Sequence, residues 1–161
     1  MKITRLFLCV LGLAFVLVVA SHAAAPAGTM PDHVVVPFDN IKWGPSDFPG
    51  LQMAVLQGDP SKAGEPFTVV MKAPAGFKFA PHWHPTDENV FVLQGKMGLG
   101  MGDKMDDSGP EVGVGSYARV AAKAHHFAYS KEGAVFSIHA IGPFQLTFVN
   151  PKDDPRPKKT M

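Results

Sequence analysis

The sequence predicts an all-β fold of the jelly-roll type. Three observations lead there. Short β-prone runs recur along the chain, Gly- and Pro-rich turns separate them, and beyond the N-terminal segment no long window carries clean helical periodicity. In order, the runs fall at 33–38 (HVVVPF), 51–58 (LQMAVLQG), 66–73 (PFTVVMKA), 89–95 (NVFVLQG), 96–102 (KMGLGMG), 115–120 (GSYARV), 125–130 (HHFAYS), 134–142 (AVFSIHAIG) and 144–150 (FQLTFVN). Strands this short and this evenly punctuated suit a sandwich or barrel, and a jelly roll fits both their number and the chain length.

The N-terminal residues stand apart from that pattern. Lys2 and Arg5 form a basic head, residues 6–20 are an unbroken apolar run, and the small-residue stretch SHAAA follows. This layout predicts a secretory signal peptide over 1–23, cleaved after Ala23, with a core too short for a comfortable membrane span. Cleavage after Ala25 and an uncleaved anchor are the alternatives. The mature protein is then expected to be periplasmic or secreted, without stable membrane insertion. A loose leader (24–32), a barrel domain (33–150) and a solvated C-terminal tail (151–161) complete the predicted organisation.

Cys9, the single cysteine, lies inside the signal segment. The exported protein therefore needs no disulfide, and any metal it holds must use His and carboxylate. Lys plus Arg number 15 and Asp plus Glu 14, a formal charge of +1 with no long block of one sign. That balance argues against a nucleic-acid partner.

One stretch concentrates chemistry. In GFKFAPHWHPTDENV, residues 76–90, two histidines and a glutamate stand close together. His82 and His84 are two apart, so on a strand both imidazoles share a face and Trp83 takes the other. Pro85, Thr86 and Asp87 can bend the chain and return Glu88 to that face. Two imidazoles and a carboxylate so arranged suit a divalent transition metal: Mn, Fe, Ni, Zn or Cu. A His-x-His pair alone is weak evidence, because solvated strands carry such pairs. Its frame is more specific: Gly76, His82, His84, Glu88 and Gly95 match a five-position pattern expected by chance at roughly 10⁻⁵ per chain of this length.

That pattern, G-x5-H-x-H-x3-E-x6-G, resembles the first signature of the cupin superfamily. The resemblance implies a single cupin domain, a double-stranded β-helix whose two His and one Glu bind metal inside the barrel. The family's second signature, G-x5-P-x-G-x2-H-x3-N, falls on Gly115, Ala121, Lys123, His126 and Ser130. Gly115 and His126 match; Ala121, Lys123 and Ser130 depart. The frame points to His126 as the fourth ligand, with the adjacent His125 as its competitor. Lys123 bears on the turn before His126, because Lys adopts positive φ far less readily than Gly. Cupins commonly pair, so the resemblance also implies a homodimer, with a strand near 34–38 as a contributor.

Other residues could meet a substrate. Tyr117, Tyr129 and His139 are candidates for moving protons, and Arg119 for binding a substrate; packing or surface roles are the ordinary readings of each. Phe79, Val90, Val92, Phe127, Phe136, Ile138 and Phe148 read as barrel wall and lid. Met53, Met71, Met97 and Met101 read as core filling rather than soft ligands. Asp103, Asp106 and Asp107 form a polar hairpin tip without the calcium-loop pattern. Three functions follow from the family resemblance: a dioxygenase-type enzyme acting on a small organic molecule, with Glu88 as ligand or base; a metal-dependent lyase or isomerase; and a non-enzymatic metal- or small-molecule-binding or sensing domain.

Overall fold

The computed structural model describes residues 33–156, so the predicted signal peptide and leader lie outside the described residues, as do positions 157–161. The described chain forms ten strands and two short 3-10 turns, at Phe38–Asn40 and Pro151–Asp153. The strands are β1 (Gly44–Pro45), β2 (Gln52–Gln57), β3 (Pro66–Ala73), β4 (Phe77–Trp83), β5 (Glu88–Gly95), β6 (Gly98–Met101), β7 (Tyr117–Val120), β8 (His126–Ser130), β9 (Ala134–Ile141) and β10 (Thr147–Phe148). No helix among the described residues is long and apolar enough to cross a membrane.

Two antiparallel sheets build a double-stranded β-helix. The larger runs β1-β2-β3-β9-β5-β7 and the smaller β10-β4-β8-β6. The non-sequential neighbours come from connections that cross between sheets, so residues far apart in sequence become opposite. Phe148 and His126, for example, both pair with His82, one from each side.

Strand alternation fills the space between the sheets. Val90 and Val92 on β5, Phe136 and Ile138 on β9, and Phe67 and Val69 on β3 are all buried in one cluster. A smaller cluster of Ile41, Ala54 and Val70 packs Trp43, Leu56 and Leu93 separately from it. On the small sheet, Gly98 and Gly100 of β6 lie opposite Tyr129 and Phe127 of β8. A Cβ at either glycine would collide with the facing ring, so the two aromatics occupy the space the glycines leave.

Two of the expected strands differ. Residues 33–37 form no strand, and the chain turns into a 3-10 helix at Phe38. Pro37 has no N–H to give a ladder, and no strand pairs with this segment, so Val34, Val35 and Val36 stay exposed. The run at 144–150 is strand only at Thr147–Phe148; Phe144 instead packs against the main cluster. Among the described tail residues, 151–153 and 155 are exposed, and Asp154 and Arg156 are half-buried. Arg156 pairs with Asp154 at 2.7 Å and lies over the rings of Phe48 and Phe148, at 5.3 and 6.0 Å.

Candidate metal centre

Each group of the candidate site is placed by a local feature of the sequence. On β4, Phe77 and Phe79 face inward, and regular alternation would turn His82 outward. An irregularity in the β4–β8 register between Phe79 and His82 shifts the alternation by one. His82 is therefore buried beside Phe79, its ring 4.7 Å from that ring and edge-on. His84 follows just past the strand end. Glu88 opens β5 on the face shared with Val90 and Val92, all three buried. His126 opens β8 on the same side as Ala128, leaving Phe127 and Tyr129 to the opposite face, against β6.

The turn before His126 keeps its shape despite Lys123. That residue has φ 63°, the single non-glycine among the described residues in the left-handed region. Its N–H donates to the His84 carbonyl at 2.8 Å, joining the two ligand-bearing loops. The motif glycines Gly76, Gly95 and Gly115 have φ of 74°, 69° and 82°. At Gly95 an added Cβ would also strike the Gly133 carbonyl.

His82, His84 and His126 are buried, and their ligand atoms all lie within 4.8 Å of one another. Each ring is oriented by the main chain. Nδ1 of His82 bonds the Ala80 carbonyl at 2.8 Å, Nδ1 of His84 the Gln145 carbonyl at 2.8 Å, and Nδ1 of His126 the Ala124 carbonyl at 3.0 Å. A carbonyl only accepts, so each Nδ1 carries a proton and each neutral ring offers Nε2 as a lone pair. Glu88 Oε2 stands 3.1 Å from His126 Nε2, and Glu88 Oε1 4.0 Å from His84 Nε2.

This arrangement fits a cation. Nε2 of His126 is a buried polar atom without a well-directed hydrogen-bond partner. In the neutral ring it sets one lone pair against the carboxylate, a contact that needs a proton or a metal between the two. The proton alternative is visible in the electrostatics. Burial pulls the His126 imidazolium down, but the Glu88 carboxylate and the Ala124 carbonyl outweigh it, and the net pKa is raised above 6.5. Burial, reinforced by His126, pushes His82 down to about 2. Burial also lowers His84. Two of the three rings are thus held in the neutral form that ligation requires.

The cavity in front of these groups has a volume of about 70 Å³. At the ~10–15 Å³ a water needs, that is room for about five waters, or an ion and a ligand of few heavy atoms. Its polar lining consists of His82, His84, Glu88 and His126; the remaining walls are apolar, among them Phe79, Val90, Met97, Phe136 and Ile138.

The other sequence candidates lie elsewhere. Tyr117 is exposed and donates to Asn89 Oδ1 at 2.6 Å. Arg119 pairs with Asp87 at 2.5 Å on the surface. Tyr129 is buried, but on the outer side of β8, with its hydroxyl 3.4 Å from the Pro110 carbonyl. His139 is exposed and lies 3.1 Å from Thr68 Oγ1. None of the four lines the cavity, because each occupies the outward position of its strand. His125, the competitor of His126, is turned to the surface with its Nδ1 2.6 Å from Asp103 Oδ1. Val92, Phe127 and Phe148 likewise stay out of the lining, whereas Phe48, Phe144 and Leu146, none of them a sequence candidate, enter it.

A family model described as the ChrR Cupin-like domain matches residues 31–145. The chain is a cupin. Solved structures agree on the fold of this cupin. The polyketide cyclase RemF from Streptomyces resistomycificus superimposes with a TM-score of 0.60 at 22% identity, over 75% of this chain and 88% of that one. A candidate acetylacetone dioxygenase from Methylibium petroleiphilum PM1 gives 0.57 at 25% identity, over 81% and 90%. The acetylacetone dioxygenase from Acinetobacter johnsonii gives 0.58 at 22%, over 81% and 86%. A search of curated proteins finds no match to this cupin.

Proposed function

We propose that this cupin binds one divalent transition metal through His82, His84, His126 and Glu88, and that the centre acts on a small oxygenated organic molecule in a dioxygenase-type reaction. The observation that carries this reading is the contrast inside the cavity: four polar groups converge and every other wall is apolar. A substrate entering there finds no guanidinium, ammonium or hydroxyl. Its own oxygens can be held only at the metal, while its carbon skeleton takes the apolar walls. Compact diketones or diols meet that description, and sugars or phosphate esters do not. The likeness at 25% identity to the candidate acetylacetone dioxygenase supports the same class.

A metal bound here would supply Lewis acidity and, if redox-active, access to oxygen chemistry. The chain supplies the rest. Backbone carbonyls aim three imidazoles, the apolar walls exclude bulk water, and Glu88 supplies the one carboxylate at the site, 3.1 Å from His126 Nε2. A lyase or isomerase would draw on Tyr117, Tyr129 or His139, and these lie outside the cavity. Export through the N-terminal segment belongs to this proposal, supported by its basic head and apolar run. So does pairing into a homodimer, supported by the exposed Val34–Val36.

Metal analysis of protein purified without chelator tests the centre, with His84→Ala as the control. About one equivalent of Mn, Fe, Ni, Zn or Cu, lost in the variant, is expected. Substoichiometric metal unaffected by the variant would overturn it. Oxygen uptake with a panel of small diketones and diols then tests the reaction.

A further inference from the structure

Outside the metal chamber lies a second cavity of about 580 Å³. The two share four wall residues, Phe48, Met71, Phe144 and Leu146. These four are half-buried, unlike the deep chamber walls Val90, Met97 and Phe136. The outer cavity differs in character, since Ser46, Asp47, Ser61, Gln145 and Arg156 line it. A ligand moving inward would therefore keep polar contacts in the outer cavity and shed its water at the four shared apolar residues before reaching the metal groups.

On another side, the chamber shares Phe48, Phe77 and Phe79 with a surface cavity of about 380 Å³. There the rings interlock: Phe79 meets Phe48 at 4.7 Å, Phe148 at 5.5 Å and Phe77 at 5.9 Å. Phe144 instead sits on the irregular stretch between β9 and β10. It contacts Phe67 at 5.1 Å and lies flat on the His84 ring at 4.1 Å, with 13° between the planes. The next residue gives its carbonyl to His84 Nδ1.

We propose that Phe144, closing against Phe48, Met71 and Leu146, is the gate of the metal chamber and the residue that sets the size of ligand admitted. Small, compact molecules pass as its ring swings off His84, and bulkier ones are refused there. The class of ligand rests on the function proposed above; the gate itself rests on the two cavities and their shared wall.

Cysteine accessibility tests the gate without depending on metal. In full-length chain carrying Cys9→Ser, Met97→Cys places one thiol inside the chamber. Its reaction with methyl and benzyl methanethiosulfonate is timed in the presence of chelator. Phe144→Ala should speed the methyl reagent at least tenfold and admit the benzyl reagent. Phe144→Trp should slow both, and Phe77→Ala, on the interlocked wall, should leave both within twofold. Equal rates in the two Phe144 variants, or faster labelling in both, would overturn the gate, the latter because a merely loosened barrel speeds both. If Phe77→Ala alone opens the chamber, the entrance is the other wall and the proposal is wrong. Labelling that follows Phe144 in a protein that binds no metal would leave the gate standing and remove the metal reading.

Discussion

Glu88 Oε2 and His126 Nε2 face each other 3.1 Å apart in the barrel interior, one from β5 of the large sheet and one from β8 of the small. The contact joins the two sheets at the point where the other two imidazoles converge. A carboxylate buried there is stable only against a positive partner, either the protonated ring or a metal.

Replacing that carboxylate should weaken metal binding without unfolding the barrel. Glu88→Gln keeps the shape and removes the charge. The expected outcome is a loss of affinity of at least about tenfold, since even supporting groups behind a metal ligand cost that much. Competition against a chromogenic chelator measures it, and unchanged affinity would remove Glu88 from the ligand set.

Metal affinity should also fall as the solution is acidified, and His126 should dominate the fall. Its pKa is raised above 6.5, so the proton competes with the metal for Nε2 at higher pH than at an ordinary imidazole. The same shift acts oppositely on the metal-free protein. A raised folded pKa contributes stability that is fully present below 6.5 and is lost as pH rises through the folded value. Chelator-treated protein should thus lose the His126 contribution on the alkaline side, while metal-loaded protein gains stability there. Denaturant midpoints at a series of pH values, with and without metal, separate the two slopes.

His82 has the reverse sign. Its folded pKa is pushed down to about 2, so below 6.5 the unfolded chain takes up a proton that the folded one refuses. Metal-free protein should lose about 1.4 kcal/mol per pH unit through this residue as the pH falls from 6.5. His82→Gln should flatten the acid limb by that amount. An identical limb in the variant would assign acid sensitivity to other groups.

Lys123 holds φ 63° in the turn that delivers His126. A side chain in that region costs on the order of 1 kcal/mol relative to glycine. Lys123→Gly should therefore raise stability by about 1 kcal/mol with metal binding retained, read as a shift in urea midpoint at unchanged slope. Destabilisation would mean that the Lys123 side chain itself supports the turn.

The barrel was legible in the sequence because short β-prone runs are separated by Gly- and Pro-rich turns, and because Gly76, His82, His84, Glu88 and Gly95 stand in the frame of a family signature. The choice of His126 over His125 came from the resemblance to the family's second signature; the structure gathers His126 with His82 and His84 and turns His125 to the surface. Other parts were not legible. The segment at 33–38 has strand-like side chains, but a strand needs a partner, and pairing is a property of the whole fold. Phe144 looked like part of a strand and became a wall of the cavity, because residues 143–146 join no sheet and its ring packs on the main cluster and on His84 instead. The inward aim of His82 depends on a register shift that no residue type announces, since a one-residue change of pairing reverses which side chains face inward.

The three imidazoles are steered by Ala80, Ala124 and Gln145, and in each case by the carbonyl oxygen rather than the side chain. Every amino acid brings that oxygen. Substitutions at these three positions can leave the aim of the ligands intact so long as the path of the backbone survives. A scaffold of this kind separates the inheritance of its grip from the inheritance of its chamber: the lining can drift toward new ligands while the hold on an ion passes on through the trace of the chain.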